Sequence, residues 1–384
     1  MKKTKVLRII TRLNIGGPTL HVVNLCHGLQ DEYETILVCG RKEEHETDMS
    51  YYAEQYQVPI IYLKNMSREL HFPADLLALW ELFWLIKKEK PDIVHTHTAK
   101  AGTLGRIAAI LSGVPLRFHT FHGNIFKGFF SPLKTKFFIG IERFLALFTT
   151  KIVAISEKQK QELIDFHITK PEKIVVIMLG FNFHHVLAQE EHQGLFRQKY
   201  HIPSDALLVA KIARITAIKN HLLFLDIAEK LANHHIYFVI VGDGDLREYI
   251  QKEIERRNLQ QKVMITGFIQ DLKPLYADID VSMLTSKNEG TPVALIEAMA
   301  NGKIVVSTNV GGIADFVENG YNGFFIDDFS PAPFAQILID IQTGNIKSHT
   351  ISTQAKELAL RKFTKERLTF EVNQLYQGSK FPRS

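Results

Sequence analysis

The feature that most narrows the fold is a double series of short apolar runs, each followed by an amphipathic stretch. The first series passes through Val6–Ile10, Thr35–Cys39, Ile93–His95, Leu116–Thr120 and Lys151–Ile155, with helical patterns such as His21–Leu29 and Asp75–Lys88 between them. The second passes through Leu207–Ile212, Tyr237–Val241, Val263–Thr266, Val281–Leu284, Ile304–Thr308 and Gly323–Ile326. Strands that alternate with helices pack as a parallel sheet covered on both faces, so the pattern predicts an α/β protein of two Rossmann-like, doubly wound domains. At 384 residues the chain also exceeds one ordinary core and suits two. The joint is expected after Ile174–Ile177, in the irregular Met178–His185, which gives residues 1–180 and 181–363 as the domains.

In such sheets ligands sit beyond the carboxyl ends of the strands, so two facing sheets would make a cleft and the functional residues should follow strands. Gly16-Gly17 follows the first strand and precedes a helix expected from Thr19 or Leu20, where backbone can approach a phosphate closely. The spacing is not Gly-x-Gly-x-x-Gly, which counts against a dinucleotide fingerprint. Arg214 follows the strand Leu207–Ile212, and Lys219 precedes a helix that Asn220 could cap. Two cations there suit a diphosphate, gripped by arginine and neutralised by lysine, unless both are simply solvated.

The run from Asn288 to Gly302 is denser in signals than any other. Thr291 can cap a helix, Pro292 suits its first position, and Gly302 supplies a left-handed closing residue about three turns later. A short, apolar, buried helix has no structural need for Glu297, so something polar is expected to meet it. Glu289 and Glu297 bracket the helix start, where amides favour an anion. Phosphate on Gly290, Thr291, Pro292 and Val293, with hydroxyls on the two carboxylates, describes a nucleotide sugar. The plain alternative is that Glu289 offsets the helix dipole and Glu297 is a surface residue.

Glu289-x7-Glu297, followed by Asn309-Val310-Gly311-Gly312-Ile313 and Gly320-x2-Gly323, resembles the nucleotide-sugar half of retaining GT-B glycosyltransferases of the family 4 type. The likeness runs nearly end to end, from Gly16-Gly17 to the C-terminal helix. It implies a GT-B fold, with residues 364–384 crossing back to the first domain, and an enzyme moving a sugar from a nucleoside diphosphate to an acceptor hydroxyl. UDP is the commonest donor nucleotide in that family; glycans or lipid-linked saccharides are the implied acceptors, as in cell-surface polysaccharide or glycolipid synthesis. The resemblance makes Arg214 and Lys219 the pyrophosphate pair, places Gly242, Asp243 and Gly267 beside the nucleobase, and gives Glu297 the ribose and Glu289 the transferred sugar. Phe121-His122-Gly123 matches the segment where the family keeps a histidine near donor sugar and acceptor, which makes His122 and Glu289 the candidate catalytic residues. The chain departs from the commonest pattern at Thr291-Pro292, where many relatives carry Phe-Gly. A nucleotide-sugar 2-epimerase shares the architecture, and a non-catalytic binding module is a further rival against which the full set of donor-side charges argues.

No cofactor or metal is expected, with Arg214, Lys219 and helix amides stabilising the leaving diphosphate. Asp243-x-Asp245 and Asp278-x-Asp280 have the spacing by which another glycosyltransferase fold holds a divalent ion, but read better as turn, helix-end and strand-start residues. His95, His97, His119 and His122 stand near adjacent strand ends and could hold zinc, though carboxylates and cysteines that often complete such sites are absent nearby. Packing or hydrogen bonding suits His95, His97 and His119 equally.

Two cysteines, Cys26 and Cys39, give no disulfide framework, and the basic start breaks at Arg8 and Arg12 rather than continuing as a signal peptide, so a cytoplasmic site is expected. The net charge of +5 is uneven, with ten basic residues from Lys100 to Lys160 facing only Glu142 and Glu157. Within it, Phe126 to Phe138 interleaves phenylalanine with lysine, a composition for an anionic membrane surface or lipid-linked acceptor if the rings are not simply core. No nucleic-acid-binding signature accompanies it, so no nucleic-acid partner is expected.

Overall fold

The fold is seen in a computed structural model that describes residues 3–14, 16–41, 49–67, 69–123 and 131–379. The chain divides into two compact units, residues 1–181 with 363–384, and residues 182–362.

The first unit alternates β1 (Thr4–Ile10), α1 (Gly17–Gly28), β2 (Tyr33–Gly40), α2 (Ser50–Gln55), β3 (Ile60–Leu63), α3 (Phe72–Glu89), β4 (Ile93–His97), α4 (Ala99–Leu111), β5 (Leu116–Phe121), α5 (Pro132–Phe148), β6 (Lys151–Ala154), α6 (Glu157–Asp165) and β7 (Ile174–Val176). Its sheet is parallel, in the order β3-β2-β1-β4-β5-β6-β7. Alternation along β1 sets the layers: Leu7 and Ile9 face α3 and α4, while Val6 faces the other way. The strand β3, at the edge of the sheet and directly after Pro59, is not among the runs read from the sequence. The helix α1 starts at Gly17, earlier than the sequence indicates, because Pro18 has its φ preset for a first turn.

The second unit holds α7 (Leu195–Lys199), β8 (Leu207–Ile212), α8 (His221–Lys230), β9 (Ile236–Val241), α9 (Arg247–Arg256), β10 (Val263–Gly267), α10 (Lys273–Asp278), β11 (Val281–Leu284), α11 (Val293–Ala300), β12 (Ile304–Thr308), β13 (Phe324–Ile326), α12 (Pro331–Gln342) and α13 (Ser348–Lys362). Its sheet is also parallel, in the order β10-β9-β8-β11-β12-β13. Phe224, Phe238, Met283 and Phe334 fill its core. The last helix, α14 (Lys365–Gly378), belongs to the first unit, where Leu368, Val372 and Tyr376 pack with Val6 and Leu25. Strand order reverses between β1 and β4 in one sheet and between β8 and β11 in the other, and such switch points open a crevice at the strands' carboxyl ends. Among the described residues no helix is long and apolar enough to cross a membrane.

Candidate active site

At the switch point of the second unit the loops after β8 and β11 bring Lys219 and Glu289 together. Lys219 Nζ donates to Glu289 Oε1 at 2.7 Å and Oε2 at 2.8 Å, with side chains 20% and 7% exposed. Arg214, between β8 and this pair, is exposed. Below the pair lies a residue that sequence reading missed. Lys211 on β8 is fully buried, and its Nζ donates to the carbonyl of Lys219 at 2.7 Å and to Thr285 Oγ1, which donates in turn to the carbonyl of Asn220 at 2.8 Å. Burial pushes the Lys211 ammonium well below its usual range. Its one visible signal is a lysine in an otherwise apolar strand. Asn220 has φ +47° and makes no side-chain cap, contrary to expectation, because in that left-handed conformation it turns the chain between the Ala217–Lys219 turn and α8.

Neighbouring turns pack on this loop backbone to backbone. Ala213 N–H donates to Val241 at 3.0 Å, Ile215 N–H to Asp243 at 2.9 Å, and Gly242 N–H to Gly267 at 2.9 Å. A Cβ on Gly242, whose φ is +145°, would lie 2.1 Å from the Ala213 oxygen, so only glycine lets the turns approach. Asp243 is exposed and pairs with Arg247 at 2.8 Å. Gly311, at φ +59°, acts likewise from the other side: a Cβ there would lie 2.1 Å from the Glu289 oxygen. The Asn309–Ile313 motif therefore seats directly against the loop that carries Glu289, Gly290 and Thr291.

The helix after this loop begins at Val293, with Pro292 in the capping position and no side-chain cap from Thr291. The expected cap fails because Pro292, at ψ 85°, lies outside the helix, which shifts the start by one residue. Gly302 closes it with φ +67°. Leu295, Ile296, Ala298 and Met299 are fully buried, and partly buried Glu297 accepts from the hydroxyl of buried Tyr276 at 2.9 Å. Burial pushes the Glu297 carboxyl up to about 7, with the Tyr276 hydrogen bond opposing the shift.

Its folded-state pKa therefore lies above the unfolded value, so between about pH 4.5 and 7 the native state binds the extra proton and stability falls as pH rises. In Glu297→Gln that part of the fall in Tm should disappear, a comparison made by thermal unfolding across this window. A parallel slope in the variant would show that the carboxyl is not the titrating group.

In the first unit Gly16, at φ +152°, precedes α1, and Gly17 is its first residue. His122 follows β5, and its Nε2 lies 3.1 Å from Nδ1 of His97 at the end of β4. His21 of α1 joins them, with ring centroids 4.9 Å from His122 and 5.5 Å from His97. Burial pushes His122 down to about 3 and His21 and His97 well below the usual imidazole value, so all three are neutral near pH 7. Of the four histidines weighed for zinc, His97 and His122 meet, whereas His95 and His119 are engaged elsewhere. His95 bonds Tyr376 at 2.6 Å and Thr120 at 2.8 Å, and His119 bonds Thr96 at 2.8 Å. Both are internal hydrogen-bonding residues.

Each Asp-x-Asp pair has a structural use. Asp243 accepts from Gly244 N–H, Asp278 from the amides of Gly194 and Arg197, and Asp280 from Leu208 N–H and the Arg197 guanidinium. The aromatic and basic stretch is only partly within view: Phe126–Phe130 lie outside the described residues, Phe137 is exposed and Phe138 partly buried. Arg106 and Glu142, counted with the basic run, are buried together, Nη2 meeting the two oxygens at 2.7 and 2.6 Å.

Comparison with known proteins joins these observations. Residues 193–358 match the model of "Glycosyl transferases group 1", and residues 15–184 that of "Glycosyltransferase Family 4". The UDP-Gal:alpha-D-GlcNAc-diphosphoundecaprenol alpha-1,3-galactosyltransferase of Escherichia coli is 31% identical over 276 residues, 70% of this chain and 71% of that one. The capsular polysaccharide biosynthesis glycosyltransferase CapM of Staphylococcus aureus is 28% identical over 338 residues, 84% and 86% of the two chains. Among solved structures, Anabaena Alr3699/HepE in complex with UDP superposes with a TM-score of 0.85 at 20% identity, covering 98% of this chain and 100% of that one, which identifies the fold as GT-B. With matched models over both units and a relative of that identity and coverage, the chain belongs to the group 1 glycosyltransferases of GT-B fold.

Proposed function

We propose that the protein transfers a sugar from a UDP-sugar to an acceptor hydroxyl with retention of configuration, its acceptor a glycan or lipid-linked saccharide of a surface polysaccharide or glycolipid. The observation that carries the reading is the Lys219–Glu289 pair at the β8/β11 switch point, with exposed Arg214 beside it and Gly311 packed against the Glu289 backbone. Arg214 and Lys219 hold the diphosphate, Glu297 the ribose hydroxyls and Glu289 a hydroxyl of the sugar. Gly242, Asp243 and Gly267 border the base, and the backbone N–H groups of Gly290, Thr291 and Val293 serve the phosphates, Pro292 having none to donate. The Escherichia coli relative, whose name specifies a UDP-galactose donor and a diphosphoundecaprenol-linked acceptor, supports both the nucleotide and the lipid carrier. Product analysis with UDP-sugars tests it: a new glycoside only when a lipid-linked acceptor is present is expected, and an epimerised nucleotide sugar formed without acceptor would replace transfer by epimerisation.

Retention follows a front-face course. Glu289 is bound on both oxygens by Lys219, which disfavours it as a nucleophile, and burial makes His122 a weak base. The leaving phosphate oxygen takes the incoming hydroxyl's proton, and His122 orients donor and acceptor. Because Arg214 and Lys219 carry the charge of the departing diphosphate, activity should survive excess chelator. Activity lost to EDTA and restored by manganese or magnesium would contradict this.

Such an acceptor calls for contact with a membrane, and exposed apolar side chains of the first unit support that reading. Along α5, Leu133 and Phe137 are 80% and 65% exposed, Phe144 and Leu147 continue the stripe, and Lys134 and Lys136 flank it. Arg106 being internal, the apolar side chains carry more of the attraction and charge less than the sequence count implies. Phe137→Ser/Leu147→Ser should lower sedimentation with phosphatidylglycerol vesicles several-fold. Wild-type protein that ignores such vesicles and is fully active on a soluble acceptor would remove the membrane from the reading.

A further inference from the structure

We propose that His21, His97 and His122 form a binding site for a divalent transition-metal ion of the zinc class. The three rings arrive from separate elements, α1, the end of β4 and the segment after β5, and each can present one nitrogen so that all three lie within 4.8 Å of one another. His97 Nδ1 and His122 Nε2 are 3.1 Å apart. In a tetrahedral zinc site with Zn–N of about 2.0–2.1 Å, ligand nitrogens stand about 3.3 Å from one another, so this pair already spans one edge of the coordination polyhedron. His21 completes the group within the 4.8 Å span.

What the three rings lack supports the assignment. His21 is 1% exposed, yet neither of its nitrogens has a hydrogen-bond partner, and Nε2 of His97 and Nδ1 of His122 are likewise buried and unpartnered. A buried polar atom left in this way costs about 1–3 kcal/mol. An ion coordinated by His21 removes that penalty for one of its nitrogens. Neutral imidazole is the ligating form, and burial keeps all three neutral at physiological pH. For His97 and His122 to ligate together, each carries its proton on the far nitrogen, a tautomer change that releases no proton. The group contains no carboxylate or thiolate among the described residues, and Arg8 acts on His21 and His97 as a nearby positive charge. Both facts place the affinity below that of thiolate-rich structural zinc sites. Three protein ligands leave a fourth position open to water.

The ion would occupy the imidazole that orients donor and acceptor, so zinc should inhibit transfer and chelator restore it, the reverse of a metal requirement. That consequence rests on the role proposed above for His122; binding rests on the three rings alone.

Cobalt(II) provides a spectroscopic probe. Titration of the metal-free protein should give a saturable visible ligand-field band at one equivalent, abolished by zinc, with affinity at least tenfold lower in His21→Gln and unchanged in His167→Gln, a histidine outside the cluster. X-ray absorption of the zinc-loaded wild type, which requires no variant to fold, should show three imidazoles in the first shell. No saturable band, a band indifferent to His21→Gln in a folded variant, or a first shell of fewer than three imidazoles would overturn the site. Zinc bound by three imidazoles without inhibition would refute the role of His122 and leave the site standing. A protein that binds no zinc but is silenced by His122→Ala would do the opposite.

Discussion

His122→Ala should lower kcat by roughly 100-fold or more while leaving UDP affinity little changed, because in the proposed mechanism the imidazole positions the reacting groups and residues of the second unit hold the nucleotide. His122 is pushed down to about 3 by burial, so its ring carries no charge at physiological pH. The rate should therefore show no titration of His122 between pH 6 and 8. Steady-state kinetics with a lipid-linked acceptor, together with calorimetric UDP titration, read both quantities. Near-normal turnover by the variant, or a covalent glycosyl-enzyme trapped on Glu289, would show that the chemistry is carried elsewhere.

Lys219→Met should have the second large effect, on binding and stability together. Removing one partner of a buried ion pair costs about 3–5 kcal/mol when both are fully enclosed. Lys219 is 20% exposed, so the loss here should be smaller, about 1–3 kcal/mol, and visible as a lower Tm. The freed Glu289 carboxylate would then face the incoming diphosphate, and UDP affinity should fall at least tenfold, the loss expected for a hydrogen bond to a charged group. Adding Glu289→Gln should return stability without returning UDP binding, since the two residues share one contact and their effects are not additive. A single variant with wild-type Tm and UDP affinity would remove Lys219 from the donor site.

The sheets were largely legible because alternation is a local property: nearly every β-strand carries its own apolar run and lies beside a helical period. What escaped was mostly set by fine local geometry or by distance. The cap of α11 depends on a single torsion at Pro292. The Lys219–Glu289 pair joins residues 70 apart, and it forms because β8 and β11 are neighbours in the sheet although two strands lie between them in the chain. His21 gave no signal at all, since its meeting with His97 and His122 depends on β1, β4 and β5 ending side by side. Counting charge along the chain misled at Arg106 and Glu142, which neutralise one another inside the first unit. Lys211 was visible as an anomaly in an apolar strand, but its use, supporting the carbonyl of Lys219, required the fold.

A crystal structure of the protein with UDP tests the central reading most directly. The expected result is UDP at the carboxyl ends of β8 and β11, with its diphosphate on Arg214 and Lys219, its ribose hydroxyls on Glu297 and its base beside the Gly242 and Gly267 turns. UDP bound away from these residues, or ribose hydroxyls that leave Glu297 on Tyr276 alone, would contradict it.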